Sequence, residues 1–191
     1  MKAVLTRVRS ASVSIDGQLH GSIGQGFLIL LGIAPDDTPE KCRKLAEKCL
    51  GLRIFRDEND KMNRSLADVG GSVLVVSQFT LYGDVSHGRR PSFIGAAKPD
   101  LAVPLYEQFL AECERLGFPP QHGEFGAYMQ VESVNDGPVT LIVDTDDLKL
   151  LRRAFFTRSA LHVLGVHLVR PRPCACFRKK SGCLTGTETE S

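Results

Sequence analysis

Ser72-Val73-Leu74-Val75-Val76-Ser77 carries four consecutive aliphatic side chains, with Gly70-Gly71 before them and a polar stretch, Gln78-Phe79-Thr80, after. A short apolar run bounded by such signals is the pattern of a strand buried on both faces, here a central one. Phe27-Leu28-Ile29-Leu30-Leu31-Gly32-Ile33 has the same character and predicts a second buried strand. Upstream, Val4 to Ile15 alternates and is rich in β-branched residues, so it predicts a long strand. Asp16-Gly17 then marks a hairpin into a further strand ending near Ile23. Thr38-Pro39 offers a cap followed by proline at the first helical position. Behind it Cys42, Leu45, Ala46, Cys49 and Leu50 fall on one helical face. Asp57-Glu58-Asn59-Asp60 is a polar turn. A second helix, capped by Asp100, carries Leu105, Tyr106, Phe109, Leu110, Cys113 and Leu116, and ends at Gly117 before Pro119-Pro120. Two strands, roughly 126–134 and 139–144, complete the body. Strands outnumber helices and nothing repeats. The expected fold class is α/β or α+β, a β-sheet or barrel covered by two helices.

The chain has 191 residues, of which 42% are hydrophobic and 24% charged, as expected of a soluble globular protein. No apolar run approaches the ~20 residues of a membrane span. Arg7 and Arg9 interrupt what would be the apolar segment of a signal peptide. The six cysteines therefore read as cytosolic thiols. The net charge of +2 conceals an asymmetry: residues 1–146 carry 15 basic and 19 acidic side chains, and residues 147–191 carry 9 and 3. An acidic domain spanning 1–146, followed by a basic extension over 147–191, is the expected organisation. Within that tail Leu148 to Leu168 has helical spacing. Cys174, Cys176 and Cys183, with His162 and His167, lack the paired C-x2-C spacing of a zinc site, so no metal is expected.

Familiar catalytic signatures are absent: there is no G-x-S-x-G, no P-loop and no H-E-x-x-H. The glycines of Gly21-Ser22-Ile23-Gly24-Gln25-Gly26 lie between strands and suit turns. His20, His87 and His122 each sit in a polar, turn-like context and read as surface residues. Two segments remain. Ser77-Gln78-Phe79-Thr80-Leu81 places hydroxyl and amide side chains at the C-terminal end of a buried strand, where α/β proteins commonly build sites. Asn135-Asp136-Gly137-Pro138-Val139-Thr140 is first of all a turn signal, and its Gly-Pro bond is a candidate for the cis form. Either alone is equally well a Ser/Thr-rich strand end or an ordinary turn.

Taken together the two segments resemble the SQxxL and NxGPxT motifs of the D-aminoacyl-tRNA deacylases. The opening Met1 to Ser14 with Arg7, the stretch Gly70 to Val76, Arg90-Pro91-Ser92-Phe93 and Ala127-Tyr128-Met129-Gln130-Val131 are similar to the same family. The resemblance covers about residues 1–145 and does not extend to the tail.

The resemblance implies a cytoplasmic homodimer of β-barrel-like fold that needs no cofactor and no metal. Its expected reaction is hydrolysis of the ester between a D-amino acid, or glycine, and the terminal adenosine of tRNA. It implies that Ser77, Gln78, Phe79 and Thr80 carry the chemistry. Gly137 and Pro138, joined by a cis bond, would reach into the partner's pocket as a chirality filter. Arg7, Met129, Leu81, Asn135 and Thr140 would support substrate binding. For Arg7 and Met129 a surface strand arginine and a core methionine are the plain alternatives. An aminoacyl ester is already activated, so a positioned water and donors for the oxyanion suffice. Backbone N–H groups around Gln78, Phe79 and Thr80 are candidate donors. The proton can be handled by the ribose 2′-hydroxyl or by the Thr80 hydroxyl, and the sequence leaves both open. A body of net charge −4 is unexpected for a tRNA enzyme, with Arg89, Arg90 and Lys98 the nearest basic candidates.

Overall fold

β1 (Lys2–Ile15) is the strand on which the rest is assembled. The structure is a computed structural model that describes residues 1–148. One edge of β1 is paired along its length, antiparallel, with β8 (Met129–Asp144). Its other edge is shared: residues 2–8 pair with β3 (Gly26–Gly32) and residues 11–15 with β2 (Gln18–Ile23). The β1–β2 turn is Asp16-Gly17, both at positive φ, as a tight hairpin with right-handed twist requires. β3 continues in parallel to β6 (Ser72–Ser77), and β6 in parallel to β7 (Gln121–His122). β2 then comes back against β7, with His20 Nδ1 lying 3.1 Å from the His122 carbonyl. The mixed sheet is thereby nearly closed into a barrel, and β8 stands outside the closure. β4 (Phe55–Arg56) and β5 (Met62–Arg64) form a small separate ribbon.

Alternation along the strands sorts side chains into two cores. Ala3, Leu5, Phe27, Ile29, Leu31, Val73 and Val75 face α1 (Pro39–Leu50) and α2 (Pro99–Arg115). Val8, Ala11, Val13, Leu28, Leu74 and Val76 face the other way and fill a smaller cluster. All five apolar positions expected on the first helix, Cys42, Leu45, Ala46, Cys49 and Leu50, are buried. Thr38 caps that helix, accepting from the Lys41 amide at 3.3 Å. At the sheet's end the Met1 ammonium meets the buried Asp37 carboxylate at 2.5 Å and the Thr145 hydroxyl at 2.7 Å. Asp37 also accepts from the Ala34 amide at 2.7 Å.

The structure departs from the sequence reading in two places. The second helix is capped at Lys98, with Pro99 at its first position. Asp100 lies inside the first turn, where its charge complements the helix dipole rather than capping it. The two expected C-terminal strands are one strand, β8, of 16 residues. The chain does not reverse at Asn135-Asp136-Gly137-Pro138, because continuous β1 holds both halves of β8 in the same ladder. The tail helix, of which only Leu148 is described, the cysteine and histidine set and the basic extension lie outside the described residues. Among the described residues no helix is long and apolar enough to cross a membrane.

Candidate active site

The parallel ladder of β3 and β6 ends with Leu31 opposite Ser77, and the Gln78 amide donates to the Leu31 carbonyl at 2.7 Å. Beyond it the chain folds into a single 3-10 turn, Phe79–Tyr82. Gly32 makes room for that turn. A methyl group there would stand 3.1 Å from Leu81 Cβ and 3.2 Å from the Gln78 carbonyl. The first amides of any helical turn lack acceptors within it. Among the described residues the Phe79 and Thr80 amides donate to no other element. The Gln78 amide is already spent on Leu31 and drops out of the expected donor set. The Gln78 side-chain amide donates to Thr80 Oγ1. Thr80 and Phe79 are exposed, Ser77, Gln78 and Leu81 half-buried. The Phe79 ring meets Phe93 edge-on at 5.2 Å.

The second segment is a bulge of four residues. Thr6 pairs with Thr140 and Val8 with Asn135, so only Arg7 opposes residues 136–139. Three side chains hold the bulge. Asn135 Oδ1 accepts from the Val139 amide at 3.2 Å, while its Nδ2 lies 3.4 Å from Thr140 Oγ1. Thr140 Oγ1 is 3.2 Å from Thr6 Oγ1. Arg7, 2% exposed, donates to the Asp136 carbonyl at 3.1 Å, pairs with the Asp136 carboxylate at 3.1 Å and donates to the Ile54 carbonyl. The Gly137–Pro138 bond is cis, and Gly137 has φ +124°. A methyl group on Gly137 would lie 2.6 Å from the Arg7 guanidinium. Arg7, Asn135 and Thr140 are thus built to hold the bulge. Met129 sits beside the inner cluster, its sulfur where a Gly123 methyl would go.

Below the bulge lies an open cleft of about 720 Å3. Arg7, Arg9, Arg56 and Arg64 line it, together with Asp68, Asp136 and Gly137. None of residues 77–81 reaches it.

A family model described as D-Tyr-tRNA(Tyr) deacylase matches residues 4–144, which contain both segments. The chain belongs to the D-aminoacyl-tRNA deacylase family. A D-aminoacyl-tRNA deacylase of Desulfatibacillum aliphaticivorans is 57% identical over 145 residues, 76% of this chain and 99% of that one. One from Chloroflexus aurantiacus is 54% identical over 154 residues, 81% of this chain and 96% of its own. Among solved structures, a c-Myc DNA unwinding element binding protein superposes with TM-score 0.71 at 41% identity, covering 75% of this chain and 98% of that chain. A probable eukaryotic D-amino acid tRNA deacylase shares the fold, with TM-score 0.65 at 18% identity, over 74% of this chain and 97% of its own.

For a deacylase the arrangement has direct chemical content. The Phe79 and Thr80 amides are unspent donors beside an exposed hydroxyl, which suits an oxyanion. Among the described residues Thr80 has no basic partner: its oxygen accepts from Gln78, and the ring of His87 is engaged with Ser86 Oγ at 2.6 Å. Asp136, Arg9, Arg56 and Arg64 escaped the sequence reading. Asp136 lay inside an apparent turn, and the arginines come from three separate strands with no shared motif.

Proposed function

We propose that the chain hydrolyses the ester joining a D-amino acid, or glycine, to the terminal adenosine of tRNA, as a cytoplasmic homodimer. The carrying observation is that its two motifs lie apart. Ser77 pairs with Leu31 and Leu31 with Ala3, whereas the bulge faces Arg7, four residues further along β1. Four residues at ~3.3 Å and three strand spacings at ~4.8 Å separate the motifs by about 20 Å. One site using both needs a second copy. β8 supports that pairing: it is paired on one edge only, by β1, it bears the exposed apolar side chains Val134 and Ile142, and exposed Tyr128 precedes it. A two-fold axis then gives two sites, each with a turn from one subunit and a bulge from the other.

In each site the Phe79 and Thr80 amides receive the developing oxyanion. Water attacks the ester carbonyl and the tRNA 3′ oxygen leaves. The Thr80 hydroxyl, already accepting from Gln78 and without a base, is a poor nucleophile. The ribose 2′-hydroxyl beside the ester is the better-placed proton carrier, and no metal or cofactor is needed. The partner's Gly137 and Pro138 read the α-carbon. With no Cβ on Gly137, backbone comes close enough to leave no room for an L side chain. A D side chain points away, and glycine has none to exclude. Residues 1–146 form the catalytic domain in this reading, and 147–191 a separate basic extension.

The test is single-turnover deacylation of matched D- and L-Tyr-tRNA, with a third substrate whose terminal ribose lacks the 2′-hydroxyl. Expected are fast cleavage of the D-ester, none of the L-ester and a large loss on the 2′-deoxy substrate. Equal rates on D and L end the chirality reading. Normal cleavage of the deoxy substrate combined with a dead Thr80→Ala moves the chemistry to Thr80.

A further inference from the structure

We propose that the arginine cleft beneath the bulge seats the phosphodiester strand of the RNA whose 3′ end occupies the site. This rests on the deacylase reading above, and adds to it a place where the acidic body grips nucleic acid. Arg7, Arg9, Arg56 and Arg64 line the cleft, against two acids, Asp68 and Asp136. Both acids are already engaged. Asp136 pairs with Arg7 at 3.1 Å and Arg9 at 3.3 Å. Asp68 accepts from the amide and hydroxyl of Ser65 at 2.7 and 2.8 Å, and these bonds hold its carboxyl below the usual range. Four guanidiniums outnumber two carboxylates in the lining, so the cleft presents a positive surface on a body of net charge −4.

The arginines are not used up by their neighbours. Arg56 spends one N–H on Asp60, and Arg64 one on the Asp68 carbonyl at 2.6 Å. A guanidinium has five such donors in a fork that matches phosphate oxygens. Their backbones are fixed by the β4–β5 ribbon, with Phe55 opposite Arg64 and Arg56 opposite Met62. Arg9 extends from β1 beside them, 76% exposed. The cleft is continuous with the site, because Asp136 and Gly137 line it. If Gly137 stands over the aminoacyl ester, the phosphates just 5′ of the terminal adenosine pass within reach. Strand-borne guanidiniums then position the acceptor end without reading its bases.

The experiment uses Arg56→Gln/Arg64→Gln in the full chain, since among the described residues neither side chain hydrogen-bonds the bulge or the turn. One arm measures binding of deacylated tRNA against salt. Each single-strand phosphate contact contributes ~0.7 to the slope of log K on log salt, so the double variant should lose about 1.4. Arg56→Lys/Arg64→Lys, which keeps both charges, should recover most of that slope. The other arm measures the ratio of kcat/KM on D-Tyr-tRNA to that on D-tyrosyl-adenosine, which has no phosphate. That ratio should fall roughly tenfold or more in the glutamine variant. An unchanged slope with an unchanged ratio overturns the cleft proposal while wild-type deacylation still stands. A lost slope with an unchanged ratio assigns the cleft to non-productive anion binding, which also overturns it. A wild-type chain that cleaves neither ester refutes the deacylase reading instead, and the binding arm still judges the cleft.

Discussion

Removing Arg7 tests whether the bulge is held by one buried cation. Its guanidinium satisfies the Ile54 carbonyl, the Asp136 carbonyl and the Asp136 carboxylate. Arg7→Ala strands the first two acceptors, at about 1–3 kcal/mol each. The carboxylate, 25% exposed, can turn to water and adds less. A total near 4 kcal/mol follows, or a Tm lowered by roughly 10 °C at 2–4 °C per kcal/mol. Arg7→Met fills most of the volume and should cost less, because only the hydrogen bonds are lost. Arg7→Lys keeps the charge but not the fork, reaches one acceptor and should cost least. Activity is expected to fall further than stability. A bulge displaced by about 1 Å costs on the order of 100-fold in rate. Scanning calorimetry and single-turnover deacylation of D-Tyr-tRNA, both below the variants' Tm, separate the two losses. If Arg7→Met keeps the wild-type Tm and the wild-type D rate, Arg7 is a spectator.

Mixing Phe79→Pro, which removes one proposed oxyanion donor, with Gly137→Ala, which drives a methyl toward the Arg7 guanidinium, should restore about a quarter of wild-type sites through mixed dimers. No rescue after subunit exchange argues for sites within single chains. Burial pushes the thiols of Cys42, Cys49 and Cys113 up to about 12 from an ordinary value near 9. A raised pKa contributes stability present below pH 9 and lost as pH climbs toward 12, so denaturant midpoints should fall across that alkaline window. A flat profile there contradicts the burial, as does alkylation of any of the three in the native protein at pH 8, read by peptide mass mapping. Acetylating the Met1 amine, or appending residues to it, replaces the ammonium opposite Asp37 and leaves a buried carboxylate with the Ala34 amide at 2.7 Å and, as its one cation among the described residues, Lys41 Nζ at 3.5 Å. A cost of about 3–5 kcal/mol is expected from comparing Tm with and without the block, and an unshifted Tm would show that the pair contributes nothing.

Local chemistry explains which features were legible in the sequence. β1, the Asp16-Gly17 hairpin, Thr38 with its helix, and β6 depend on neighbours a few residues away, and each was readable. Ser77 to Leu81 stood out because polar groups close an apolar strand. The bulge was not legible as a bulge. Asn-Asp-Gly-Pro is the same string whether the chain turns back or merely swells. What chooses is the ladder to β1, whose partner Arg7 is 129 residues from Asp136. The cleft was invisible for the same reason: Arg9, Arg56 and Arg64 converge only after three strands are placed. Nor does any local pattern announce that Met1 will bury its ammonium against Asp37.

The length of β1 has a consequence for biosynthesis. It leaves the ribosome before the other elements of the body, and β2 and β3 can dress one of its edges at once. Its other edge waits for β8, whose bulge emerges about 130 residues after Arg7. At ~5–20 residues per second, that edge stands open for roughly 6–26 s. Throughout that interval Arg7 has neither Asp136 nor the bulge to hold. A polypeptide stalled before Asp136 therefore carries the turn at Phe79 and Thr80 without the bulge proposed to tell D from L. The half of the site to which discrimination is proposed is among the last parts of the body to be made.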